Sequence, residues 1–295
     1  MVSRHLDIKY MKINTISPLE HKFTQIIETI ADCPKRLYFI GKLPEHRRVS
    51  VAIVGTRKPT AYGREVTHKI AYDLAKHGVV IISGLSLGTD GIAHQAALEA
   101  GGTTMAVLAN GVDIIYPAAH KNLADNILKS GGAILSEYEP GIEAREFRFV
   151  HRNRIVSGLS DAIIITEAAI ESGTILTASY ALEQGREVFV VPGNITSPLS
   201  AGCNKLIKQG ANPITCAEDV LEIIAPNLLK SQNMLPLGAN ALETQIISLL
   251  QSGIRDGDEL QAQSGADISE FSQTITMMEI SGTLRALGGN QWTLR

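Results

Sequence analysis

Val51-Ala52-Ile53-Val54-Gly55-Thr56-Arg57 and, one helix length later, Val79-Val80-Ile81-Ile82-Ser83-Gly84 decide the fold. Each is a short run, mostly β-branched and apolar at every position, that ends at or next to glycine. A strand with no polar alternation has both faces buried, as in a parallel sheet covered by helices. Between the two runs, residues 63–76 carry helical patterning, and a second helix is expected from about 88 to 100. The alternation continues outward. Residues 104–108, 133–135, 162–165 and 188–191 read as further strands, with a helix from about 174 to 184 between the last two. The fold class expected is α/β: a doubly wound, Rossmann-like, mostly parallel sheet whose ligands bind at the carboxyl ends of its strands.

At 295 residues the chain is roughly twice the ~150-residue domain prior, and shorter pieces flank the core. Residues 1–48 read as a short N-terminal helical extension. They hold the amphipathic stretch 23–30, then Pro34 and the apolar Leu37-Tyr38-Phe39-Ile40. Residues 49–225 form the Rossmann-like domain, and 226–238, with Pro226, Pro236 and Gly238, read as a linker. Residues 239–295 give helical patterns at 241–251, 258–264 and 268–281 followed by a hairpin, the order of a winged-helix-like domain.

Composition narrows the class. With 44% hydrophobic and 19% charged residues the chain is neither disordered nor low-complexity. Its longest apolar runs are strand-length, far below the ~20 residues of a membrane helix, so no membrane association is expected. Arg4, Asp7, Lys9 and Lys12 leave no apolar core for a secretory signal. Three cysteines cannot staple a chain of this size, which points to a reducing, cytoplasmic location. The net charge of −3, taken alone, argues against a nucleic-acid partner. The mean is uneven, however. Residues 1–48 hold nine Lys/Arg against five Asp/Glu, 49–225 hold 14 against 18, and 226–295 hold four against seven. Within the middle segment Arg145, Arg148, Arg152 and Arg154 fall in ten residues, with Glu146 opposing.

The strand ends carry the chemistry. Gly55-Thr56-Arg57-Lys58 closes the first strand, where glycine lets backbone approach a phosphate and the two cations add charge. The next loop holds Gly84 and Gly88, with Asp90 and His94 on one face of the following helix. Beyond the fifth strand, Ser172, Gly173 and Thr174 open a helix as a site for an anion. Phe147-Arg148-Phe149-Val150-His151-Arg152-Asn153-Arg154 is expected to precede a helix at 155–160. It interleaves basic and aromatic side chains as single-stranded nucleic acid requires. The alternative is that these arginines pair with Glu137, Glu139 or Glu143 and that one phenylalanine is core. Only one of Phe147 and Phe149 is expected to be exposed. Cys33, Cys203 and Cys216 lack C-x-x-C spacing and no serine lies in G-x-S-x-G. No catalytic residue, metal or cofactor is therefore expected.

Taken together, 51–57, Ser83-Gly84 through Asp90-Gly91-Ile92-Ala93-His94, Gly111-Val112-Asp113 with Tyr116-Pro117, Arg152-Asn153-Arg154 with Gly158-Leu159-Ser160, Glu167, Ser172-Gly173 with Thr177-Ala178, Gly185-Arg186, Val191-Pro192-Gly193 and 202–211 resemble the DNA-processing protein DprA (Smf) family. The first loop reads Gly-Thr-Arg where that family more often has Gly-Ser-Arg. The resemblance implies a protein without catalysis. It would bind single-stranded DNA in a positive pocket at the strand ends, act as a homodimer, and help load RecA onto incoming DNA during natural transformation. Carried over, Arg57 and Lys58 would hold phosphates beside Gly55 and Gly84. Arg152, Asn153 and Arg154 would line the same pocket with Ser172 and Gly173, and Phe149 would stack a base. Arg186 and Lys205 are placed near it by their motifs, while Asp90 and Glu167 would hold arginines and loops in place. The competing reading is a nucleotide phosphoribohydrolase of the related Rossmann group. It is disfavoured because Glu171-Ser172-Gly173-Thr174 lacks the doubled glycines of that group's loop. The last helix of the C-terminal module has no Lys or Arg, so protein contact is expected there rather than duplex binding.

Overall fold

The computed structural model describes residues 11–232 and 240–294. The readings of residues 1–10 and of 233–238 in the linker lie outside the described residues. The chain divides into two compact units near residue 228.

The first unit opens with β1 (Asn14–Ile16), two 3-10 turns (Pro18–Glu20 and Thr24–Thr29) and β2 (Leu37–Gly41). Then come β3 (Ser50–Val54), α1 (Ala61–Lys76), β4 (Val80–Ser83), α2 (Thr89–Glu99), β5 (Thr104–Val107), α3 (Lys121–Lys129) and β6 (Ala133–Ser136). α4 (Glu146–Gly158), β7 (Ala162–Ile165), α5 (Gly173–Glu183), β8 (Glu187–Val190), α6 (Ala201–Lys208), β9 (Asn212–Pro213) and α7 (Ala217–Ile224) follow. α8 (Pro226–Gln232) falls at the division between the units, where a linker was expected.

The sheet runs β1-β2-β6-β5-β4-β3-β7-β8-β9. Strands β3 to β9 are parallel, while β2 pairs antiparallel with β6 and β1 antiparallel with β2. The chain winds outward from β3 through β4, β5 and β6, then returns to place β7 on the other side of β3. That reversal is a topological switch point, where connections diverge and leave a crevice at the strand ends. Alternate strand residues serve opposite cores, following the two-residue period of a strand. Val54, Ile82, Val107 and Ile165 face one side with Ile155, Val156 and Leu159 of α4. Ala106, Leu108 and Ile134 face the other with Ala124, Ile127 and Leu128.

Residues 1–48 are not a helical extension over their described part. Phe23, Ile27, Ile30 and Leu37 are buried in the same core as α4, and the Leu37-Tyr38-Phe39-Ile40 run is a sheet strand. Two described strands and two 3-10 turns take the place of a helix, because that apolar run is satisfied by pairing with β6.

The second unit contains α9 (Ala241–Gln251), α10 (Gly257–Ser264), α11 (Ile268–Ile280), β10 (Leu284–Gly288) and β11 (Gln291–Leu294). Its helices start where the sequence provides caps. The side chains of Asn240, Asp256 and Asp267 each accept a backbone N–H from the first turn. Ile246, Ile247, Leu260, Phe271 and Met278 form a core of its own. Among the described residues, no helix is long and apolar enough to cross a membrane.

Candidate functional site

At the switch point, the ends of β3 and β4, the start of α5 and one face of α4 enclose a cleft of about 400 Å³. Gly55, Arg57, Gly84, Phe149, Arg152, Asn153, Ser172 and Gly173 all line it, with Ser86, Asp90 and Glu146. The strand-end loops therefore converge. Gly55 is required by a close approach: a Cβ there would lie 2.5 Å from Thr89 Oγ1. Ser172 caps α5 by accepting from Thr174 N (3.2 Å), and Thr174 Oγ1 donates to Gly55 O (3.1 Å). This brings the positive end of α5 to the cleft wall, where it favours an anion.

Arg57 is exposed. Among the described residues it has no carboxylate partner. Its guanidinium lies 5.2 Å from the centroid of the Phe149 ring, a cation–π arrangement. That ring sits 5.6 Å from the ring of Tyr116, which is half exposed. Phe147 is exposed and Phe149 is intermediate, so the more open phenylalanine is the one outside the cleft. Tyr116 was legible only as part of a motif, and nothing in its spacing tied it to Phe149.

α4 is longer than expected. It begins at Glu146, so Arg152-Asn153-Arg154 lies on the helix and not in a loop before it. Residues two apart on a helix point to different faces. Arg152 enters the cleft wall, where it is 3% exposed and donates to Gly84 O (2.7 Å) and to Val107 O. A Cβ on Gly84 would lie 2.3 Å from this guanidinium. Burial pushes the Arg152 guanidinium down to about 10, against the opposing pull of Asp90. Burial likewise raises the Asp90 carboxyl, while the Arg152 charge and the Ser86 N–H (3.1 Å) favour its ionised form. Asn153 Oδ1 accepts from Arg152 Nε (3.2 Å).

Arg154 does not line the cleft. On the other side of α4 it donates to both oxygens of Glu137 (2.8 and 2.7 Å) and to Asp32 (2.9 Å), which His151 also contacts (2.8 Å). The pairing with Glu137 weighed above is therefore realised here. Arg186 is also outside the cleft and donates to Ile26 O and Gly158 O. Lys205 is exposed on α6 and lies outside the cleft lining. Lys58 lines a neighbouring groove with Arg57.

Three titratable groups, Glu167, His94 and Cys203, are held within the fold. Glu167 accepts from Thr60 N (2.8 Å) and Thr60 Oγ1 (2.7 Å), holding the start of α1. His94 is fully buried and its Nδ1 meets Thr104 Oγ1 at 2.7 Å. Burial pushes the Cys203 thiol up to about 11, far from a reactive thiolate. Among the described residues, no three His, Cys, Asp or Glu side chains gather to hold a metal.

Comparison with known proteins adds an independent line. The family model described as DNA recombination-mediator protein A matches residues 14–225, and that of the DprA winged helix domain matches 231–290. Protein Smf of Escherichia coli is 37% identical over 286 residues, covering 92% of this chain and 74% of that protein. The DNA processing protein DprA of Bacillus subtilis is 42% identical over 213 residues, 71% of each. Among solved structures, DprA of Streptococcus pneumoniae superposes with a TM-score of 0.67 at 38% identity, covering 76% of this chain and 78% of that one. DNA processing protein A of Helicobacter pylori, described for its single-stranded DNA binding mode, gives 0.65 at 33% identity and covers 76% and 98%.

Proposed function

The chain belongs to the DNA recombination-mediator protein A (DprA) family, and from that membership we propose that it binds single-stranded DNA in the cleft at the switch point between β3 and β7. The observation that carries this reading is the pairing of exposed Arg57 with the Phe149 ring at the cleft mouth. A guanidinium can follow the phosphate backbone while the ring offers a face to a base. The α5 terminus supplies a second anion-attracting group, and Arg152 adds a buried positive charge to the cleft wall. No base edge is read by such an arrangement, so binding tolerates sequence.

Within this reading the protein is a binding module without a catalytic step, acting as a homodimer in the cytoplasm and handing its strand to RecA. The names of its relatives support a mediator role in recombination. Sedimentation of the purified protein tests the dimer, and RecA filament assembly on single strands with and without the protein tests the transfer.

The direct test of the cleft is a titration of fluorescent oligothymidylate at several salt concentrations with wild type and Arg57→Ala. Wild type binds single strands more tightly than duplex. The variant weakens binding for every sequence and lowers the log–log salt slope by about 0.7, the value for one phosphate contact on a single strand. An unchanged slope and affinity removes Arg57, and the cleft with it.

A further inference from the structure

A second cavity of about 590 Å³ opens on the far side of Arg57, between α1, α2 and the turn before α3. Arg57 and Lys58 form its near wall, and Arg64, His68 and His120 line it further on. Among the described residues, no carboxylate lines it; the acid that touches a lining side chain is Glu99, which meets His68 at 2.7 Å. Arg64 is exposed and commits one nitrogen to Pro59 O (2.7 Å). His120 lies against α2 because Gly91 leaves room: a Cβ there would come within 2.7 Å of the imidazole. Its Nδ1 is 2.8 Å from Leu85 O, fixing the ring in place. Gly88 adopts φ +79°, and a Cβ on it would lie 2.5 Å from Thr56 O and 2.6 Å from Arg57 O. The β4–α2 loop thus packs directly on the Arg57 backbone and holds that residue on the divide between the two cavities.

We propose that this groove is a second phosphate-binding subsite for the same nucleic acid strand, continuing its backbone path from the cleft past Arg57. The inference rests on the proposed single-strand reading. Its ligand is a polyanion long enough to leave the cleft, held by point charges and without base recognition. The chemistry differs on the two sides of Arg57. The cleft side presents the Phe149 ring, which suits a base; the groove side presents cations, which suit phosphates.

The test uses the full chain and two oligothymidylates, of roughly six and roughly twenty nucleotides. Lys58→Ala/Arg64→Ala changes two exposed side chains, and its thermal unfolding is compared with wild type to confirm an intact fold. The expected result is a loss of about tenfold in affinity for the longer strand, with the salt slope reduced by about 1.4 for two lost phosphate contacts. The shorter strand keeps wild-type affinity, and Arg57→Ala weakens both. Wild-type affinity of the double variant for the longer strand overturns the groove while leaving the cleft intact. Equal loss for both lengths also overturns it, because Lys58 and Arg64 then act within the cleft. Failure of wild type to bind either strand overturns the underlying single-strand reading instead.

Discussion

Arg57 and Arg152 both line the cleft, and what already holds each of them separates their roles. Arg152 bridges Gly84 O and Val107 O at the ends of β4 and β5 and neighbours buried Asp90. Its removal strands buried acceptors, each at a cost of about 1–3 kcal/mol. Arg152→Ala is therefore expected to lower stability by about 2–4 kcal/mol in urea unfolding, so any affinity loss must be corrected for unfolded protein. A second residue-level expectation concerns His94. Thr104 Oγ1 gives its one proton to Ile81 O (2.8 Å), so it accepts from His94 Nδ1–H. Nε2 is then a buried lone pair without a partner. Burial, with repulsion from His120 and Arg152, pushes the imidazole down to about 3 from its ordinary 6.5. Between those values the unfolded chain binds a proton that the folded chain does not. Stability from this residue is fully present above pH 6.5 and is lost as pH falls toward 3, by up to about 5 kcal/mol. His94→Asn keeps a donor for Thr104 and should flatten the decline in urea midpoint between pH 7 and pH 4; an identical decline in the variant contradicts the assignment.

At the scale of the element, α4 shows what the sequence conveys and what it withholds. The β-branched runs marked six of the sheet's strands to within about one residue, since full burial of a strand writes itself as an unbroken apolar run. α4 wrote no such signal. Its first two turns carry Phe, Arg and His on a helix that is amphipathic only in part, so local patterning reads the segment as a basic loop and starts the helix nine residues late. A loop there would put Arg152 and Arg154 side by side. A helix separates them, and Asp32, the partner of Arg154, comes from a segment 122 residues away, which no local pattern encodes. The two faces of α4 should therefore respond differently. Arg154→Ala takes the bidentate arginine from Glu137, which is 13% exposed and keeps His151 at 3.2 Å, and is expected to cost about 1–3 kcal/mol of stability, with single-strand affinity of the folded protein unchanged. Phe149→Ala should do the converse: about 1–3 kcal/mol of binding lost through stacking, with the unfolding midpoint little moved. Paired urea and binding titrations of the two variants decide it, and a strong affinity loss in Arg154→Ala would restore that side chain to the DNA path.

Across the whole molecule, the net charge of −3 is a poor guide because charge is sorted by place. Acids at Glu137, Asp32 and Asp161 neutralise cations away from the cleft, at Arg154 and Arg47. Arg57, Lys58 and Arg64 have no carboxylate partner among the described residues. Fields from clustered cations act over about a Debye length of 8–10 Å at ordinary salt, so local placement outweighs the total. The C-terminal unit follows the same logic in reverse. α11 carries Glu270 and Glu279 and no Lys or Arg, and leaves Ile268, Met277 and Ile280 more than half exposed. A helix of this composition has nothing to neutralise phosphates, whereas the winged helices that enter a major groove rely on cations to position them. The unit has its own core and its own caps. Deletion of residues 239–295 is accordingly expected to leave single-strand affinity within about threefold and the salt slope unchanged, because the slope counts phosphate contacts and the proposed strand path lies on the first unit. Measured side by side with the full chain, a loss of tenfold or more would mean that the strand's path extends onto the second unit.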